Sequence, residues 1–152
     1  MNHSDDTTPA TETDEARHHR EAARHHLRFG CLALLVFVAM GFALEFLHAF
    51  RFGWYLGEET EPRRLMWTLA HAHGTLVAVI HIALGAAWPQ LRPSPRLRRA
   101  SQCLDLSLFA LPGGFFLGGA FVIPPDPGLG IILVPVGGLL LFAGIALVAR
   151  QT

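Results

Sequence analysis

Residues 27–50 read LRFGCLALLVFVAMGFALEFLHAF, and Phe29–Leu44 within them contains no Asp, Glu, Lys or Arg. A helix that crosses a bilayer needs about 20 predominantly apolar residues, with a range of roughly 17–25. Phe29–Leu44 reaches that length only if Glu45 and His48 are carried into the membrane with it. A soluble amphipathic helix would show a polar stripe at a period of about 3.6 residues. Neither Phe29–Leu44 nor Leu129–Val148 shows one. The stretch therefore reads as a membrane span with an acid and an imidazole near one end.

Three further runs lack charged side chains: Leu65–Leu91, Leu106–Pro125 and Pro127–Ala149. Together the four predict transmembrane helices at about 27–50, 66–88, 104–123 and 129–149. The expected fold is all-α, an integral membrane four-helix bundle with antiparallel spans over 27–150, behind a cytoplasmic polar tail over 1–26. Charged residues make up only 16% of the chain, against roughly a quarter in soluble domains, which agrees with that class. The 12 acidic residues balance the 12 basic ones. With no net positive field to attract phosphates, nucleic acid is not an expected partner.

Arginine placement gives the orientation, since Lys is absent. Arg17, Arg20, Arg24 and Arg28 lie in the tail, Arg92, Arg96, Arg98 and Arg99 follow the second span, and Arg150 ends the fourth. The alternate loops hold Arg51, Arg63 and Arg64, offset by Glu58, Glu59 and Glu61. The positive-inside rule then puts both termini in the cytoplasm, in a plasma (inner) membrane. Trp54, Tyr55 and Trp67 fall at the predicted outer interface and Trp88 at the inner one, as an aromatic belt requires. The first apolar segment is too long for a signal-peptide core and lacks a small-residue cleavage site, so it reads as a retained anchor. Cys31 and Cys103 fall near the cytoplasmic face, where they are expected to stay reduced and to act as small buried apolar side chains.

Met1–Thr11 is polar and reads as disordered. A helix is expected from Thr13 as N-cap, with Asp14 and Glu15 in its first turn. Arg17, Arg20, Arg24 and Arg28 then line one face, suited to anionic lipid headgroups. His18, His19, His25 and His26 flank that stripe. Metal binding or pH sensing is open to them, but solvated side chains on a charged tail is the simpler reading. Pro89–Ala100 reads as a short Arg-rich loop. Helices 3 and 4 are rich in Gly, with Gly114 and Gly118 forming a small-xxx-small pair for close helix approach. Pro112 and Pro135 are expected kink positions, and Pro124–Gly128 a tight turn.

The chemistry concentrates where spans 1 and 2 meet. An ionisable side chain deep in a bilayer costs roughly 2.5–3.5 kcal/mol on insertion scales, so such residues are functional candidates. Glu45 and His48, spaced i, i+3, share a face near the outer end of span 1. His71 and His73 lie near the start of span 2, at a matching depth. At about 100° per residue, His71 faces Gly74, Thr75, Ala78 and His81, whereas His73 points almost oppositely. Three readings fit. Glu45, His48, His71 and His73 supply donors for a transition metal ion. His48 with His71 or His73 offers axial ligands to a b-type haem. Alternatively, the polar group only fixes helix pairing. His81, deeper on the His71 face, is a candidate step in a proton relay. The expected function is a small multi-pass accessory subunit of a redox or transport system, with a partner membrane subunit. The alternative is a non-catalytic structural or assembly protein. No nucleotide, nucleophile or protease motif is present, so enzymatic activity is left open.

Overall fold

The computed structural model describes residues 8–151, with side chains placed for residues 14–151. Among them the fold is all-helical. Helix α1 spans Thr8–Ala49. A short helix, α2 (Gly53–Leu56), and a 3₁₀ turn at Glu58–Thr60 lead into α3 (Glu61–Ala87). Another 3₁₀ turn at Trp88–Gln90 precedes α4 (Pro95–Ala120), and a third at Leu129–Ile132 precedes α5 (Leu133–Ala149). Four stretches are long and apolar enough to cross a membrane: Asp14–Ala49, Glu58–Gln90, Pro95–Ala120 and Leu129–Ala149.

The boundaries depart from the sequence expectation in instructive ways. Helix α1 is already under way at Thr8, so Thr13 is not its cap. The disorder expected for Met1–Thr11 falls partly on residues 1–7, outside the described residues. The Arg-rich loop is shorter than expected because α4 starts within it. Ser94 is extended and accepts from the Leu97 N–H at 3.1 Å, with Pro95 at the first helical position. That pair is a helix start, and it puts Arg96, Arg98 and Arg99 on the first turns of α4. Pro135 falls in the first turn of α5, after the 3₁₀ segment. Its lost N–H is one of the donors a helix start leaves free.

Helix α1 ends without glycine. Arg51 adopts φ 53°, its N–H donating to the His48 carbonyl at 3.1 Å while the Phe52 N–H reaches Leu47 at 3.2 Å. This 5→2 and 6→1 pairing is a Schellman ending.

The long helices pack in chain order, α1 on α3, α3 on α4 and α4 on α5. Each pair runs in opposite chain directions. Gly85 meets Ala23 and Leu27, Gly30 meets Ala78 and Ile82, the Phe37 ring covers Gly74, and Gly41 meets His71. Between α4 and α5, Leu104 lies on Gly144, Leu111 on Gly137 and Val134 on Gly114. At Gly118 a Cβ would find ordinary room, while its carbonyl accepts from the Gly128 N–H at 2.8 Å. Helices α1 and α5 form the two edges. Their outer faces hold large exposed apolar side chains, among them Phe42 at 72% and Phe142 at 74% exposure.

The glycine contacts give a paired prediction. A Cβ at Gly30 would stand 2.8 Å from the Ala78 carbonyl oxygen and 2.9 Å from the Ile82 nitrogen, both backbone atoms. Gly30→Ala should therefore destabilise by about 1–3 kcal/mol. Gly113 has nothing within 4 Å, and Gly113→Ala should gain up to about 1 kcal/mol of helix propensity. Equilibrium unfolding in mixed detergent–SDS micelles measures both. Equal stabilities would contradict the α1–α3 packing described.

Candidate functional site

Two polar clusters stand at opposite ends of the helix row. The first arises from the phase of α1. Its inner face steps through Ala23, His26, Gly30, Ala33, Phe37 and Met40 at three- and four-residue spacing, the repeat of a packed helix seam. His26 occupies that seam with 0% exposure. An imidazole in such a place needs partners, and it has two. Its Nε2 lies 2.8 Å from Ser101 Oγ, a hydroxyl able to donate or accept. Its Nδ1 lies 2.9 Å from Nδ1 of His81, also fully buried. Two facing nitrogens at that distance share one proton, so one ring donates N–H to the other's bare lone pair. The His81 Nε2 makes no hydrogen bond among the described residues.

Neighbouring side chains fix these rings. Trp88 packs on His26 with centroids 4.9 Å apart, while its indole N–H donates to His19 Nδ1 at 3.1 Å. Phe29 sits edge-on to His81 at 5.4 Å. One residue before His26, His25 turns toward the flank, where its ring stacks on Phe29. Its Nε2 meets Asp105 Oδ1 at 3.2 Å and Oδ2 at 3.3 Å. The same Oδ1 lies 3.8 Å from His81 Nδ1. Ser101 and Asp105 are one turn apart on α4, so both reach α1 from a single helix face. Among the described residues, His25, His26 and Asp105 have donor atoms all within 4.8 Å of one another.

The second cluster is the one that sequence spacing pointed to. Glu45, His48 and His71 line one hollow of about 480 Å³ together with Gly41, Tyr55, Arg64 and Thr68. Nδ1 of His71 lies 2.7 Å from the Phe37 carbonyl. A carbonyl only accepts, so Nδ1 carries the proton and Nε2 keeps its lone pair. Glu45 and His48 are exposed. His73 is not in this hollow. Its Nδ1–H donates to Leu69 on its own helix at 2.9 Å, and its ring lies 4.8 Å from that of Phe115 on α4. A two-residue step of about 200° separates it from His71. His81 belongs to the first cluster, and between the two ends Phe37 covers Gly74 while Val77 and Ala78 are fully buried.

The cysteines are both free thiols. Cys31 is exposed and Cys103 half-buried, so neither fills the buried apolar role expected of it. At the α2 end, Arg63 ties the connection to the helices by donating to the Trp54 and Gly119 carbonyls at 3.0 and 3.2 Å. Trp67 donates to Phe116 at 3.1 Å. Trp54, Tyr55 and Trp67 thus form a packed aromatic group.

The His25/His26/Asp105 group was legible only in part. His26 reads as tail when the apolar run is taken to begin at Leu27. Carrying the buried phase of α1 back past that point (Phe37, Gly30, His26, Ala23) would have placed it inside. The chain matches no protein-family model, no curated protein and no solved structure.

Ser101 offers a test of this geometry. Ser101→Ala leaves His26 Nε2 buried without a partner, at a cost of about 1–3 kcal/mol. The neighbouring Gln102→Ala, on an exposed side chain, should change stability by less than about 0.5 kcal/mol. Unfolding curves that place the two variants together would show that His26 is not held as described.

Proposed function

We propose that this chain is an integral membrane protein with four spans and both termini in the cytoplasm, and that it holds a divalent transition metal at that face. The donors are His25, His26 and Asp105. One observation carries the reading: two helices bring three donor atoms to within 4.8 Å of one another. Imidazole and carboxylate together suit borderline ions of the zinc type. Ser101 and Trp88 hold the His26 ring, the role that outer-shell partners play for metal ligands.

Several features support the membrane setting. The apolar faces of α1 and α5 suit hydrocarbon, and the Arg distribution matches a cytoplasmic N-terminus and a cytoplasmic α3–α4 connection. Arg20, Arg24 and Arg28 are exposed and suit anionic headgroups. The role consistent with these parts is a metal-binding accessory subunit of a membrane redox or transport system, alongside a partner membrane subunit.

A second reading concerns the hollow at the other end, near the outer leaflet. His71 holds its Nδ1–H on the Phe37 carbonyl, leaving Nε2 as the ligand atom. That arrangement favours His71 with His48 and Glu45 as ligands to a metal, or His48 and His71 as axial ligands of a b-type haem. His73, engaged at Leu69, is the weaker member.

Metal analysis and an absorption spectrum of detergent-purified protein separate these readings. The first expects stoichiometric metal that the double variant His25→Ala/Asp105→Asn loses. The second expects a Soret band, or metal, that His71→Ala removes and the double variant keeps. Cofactor-free protein, with both variants altered in stability alone, would leave a structural protein whose polar clusters fix helix packing. Reporter fusions at both termini and after Pro125 test the orientation.

A further inference from the structure

The metal reading above leaves one buried group unused. His81 is fully enclosed, and its Nδ1 lies in the cluster, 2.9 Å from His26 Nδ1 and 3.8 Å from Asp105 Oδ1. We propose that His81 is the fourth ligand, so that His25, His26, His81 and Asp105 close a four-coordinate shell around one zinc-type ion. This rests on the reading of that site as a metal site, and it gives the ion a role: a clamp joining α1 to α3 and α4.

The separations carry the argument. A tetrahedral ion with bonds of about 2.0–2.1 Å holds its ligand atoms about 3.3 Å apart. His26 Nδ1 and His81 Nδ1 are 2.9 Å apart, His81 Nδ1 and Asp105 Oδ1 3.8 Å, and Asp105 Oδ1 and His25 Nε2 3.2 Å. These three edges straddle the tetrahedral value and link all four side chains in one path. His81 lies outside the trio whose donors are all mutually close. The move that completes the shell therefore falls to His25, whose side chain is half exposed.

The facing imidazoles are suited to this exchange. Two Nδ1 atoms with one proton between them become two lone pairs directed at one cation when the donor ring changes tautomer, Nδ1 losing its proton and Nε2 gaining one, so that both rings stay neutral. Three neutral imidazoles and one carboxylate then hold a divalent ion with net charge +1. Four protein ligands leave no position for water or substrate, the condition that separates structural from catalytic zinc sites. The site is thus a fastener for the Arg-bearing half of α1 rather than a reaction centre.

The test uses the full chain in detergent, titrated with zinc against a competing chelator and with cobalt(II) as a spectroscopic substitute. His81→Ala should weaken zinc binding by more than about 100-fold, the upper end of what losing an outer-shell partner costs. His81→Cys should restore binding and give its cobalt form a thiolate-to-metal charge-transfer band that wild type lacks. Cysteine suits this position because the donor used is Nδ1, the ring nitrogen nearer the backbone. Zinc should also protect Arg17, Arg20 and Arg24 from trypsin in wild type. If His81→Ala misfolds, the cysteine variant decides alone. A wild type that binds zinc, with a loss of 100-fold or less in His81→Ala and no new band in His81→Cys, overturns His81 as a ligand and leaves the three-residue site standing. A wild type that binds no zinc overturns both.

Discussion

The approach of α1 to α3 governs the rest of the structure. Along this seam Gly30, Gly41, Gly74 and Gly85 each bring backbone or ring atoms to where a Cβ would otherwise stand. In hydrocarbon, apolar side chains gain little by leaving lipid for protein, so association depends on close van der Waals contact and internal hydrogen bonds. The glycines provide the first, and the register they impose provides the second. With Gly30 seated against Ala78 and Ile82, His26 on the preceding turn comes opposite His81 on the next. With Gly41 against His71, the Phe37 carbonyl comes within 2.7 Å of that ring. Both polar clusters are products of one register.

That register also controls how polar groups survive in an apolar setting. A buried imidazole without hydrogen bonds is costly, and this fold buries two side by side. Their mutual hydrogen bond, the Ser101 hydroxyl and the Asp105 carboxylate meet most of the need, with α4 supplying the last two from a single face. Among the described residues His81 Nε2 meets no geometric hydrogen-bond partner. Thr75 Oγ1, on the same helix, is likewise buried without a partner among the described residues. Exposed Glu45 and His48 at the other end face a different situation, since their hollow is open and lies beside the Tyr55, Arg64 and Thr68 side chains.

Helix count and the apolar runs were readable from charge spacing alone, because four stretches free of Asp, Glu and Arg leave few alternatives. The grouping of Glu45, His48 and His71, and the outlying position of His73, followed from helical phase. Three things were harder to read. The start of α4 was obscured by a loop composition of Pro and Arg, although Ser94-Pro95 marked it. The arrangement of the four helices, with α1 lying on α3 and reaching α4 through His25, His26 and Phe29, is a matter of tertiary packing that composition does not encode. Most consequentially, His26 belonged to a segment that charge assigned to the tail while its phase assigned it to the core. Where the two signals competed, the phase prevailed: the seam face turns inward wherever α3 lies against it, irrespective of the charges on the opposite side.

Helix α1 is continuous over 42 residues, roughly 63 Å at 1.5 Å per residue, about twice the hydrocarbon thickness of a bilayer. It carries His26 and Glu45 on the same rigid rod and touches the rest of the molecule chiefly along one side. Such a rod has no internal joint at which a disturbance can be absorbed. Its seam on α3 is engaged at both ends, by Ala23 and Leu27 against Gly85 and by Gly41 against His71. One unbroken helix thus ties the two polar clusters together, so that sliding α1 along α3 by a turn would dismantle both at once.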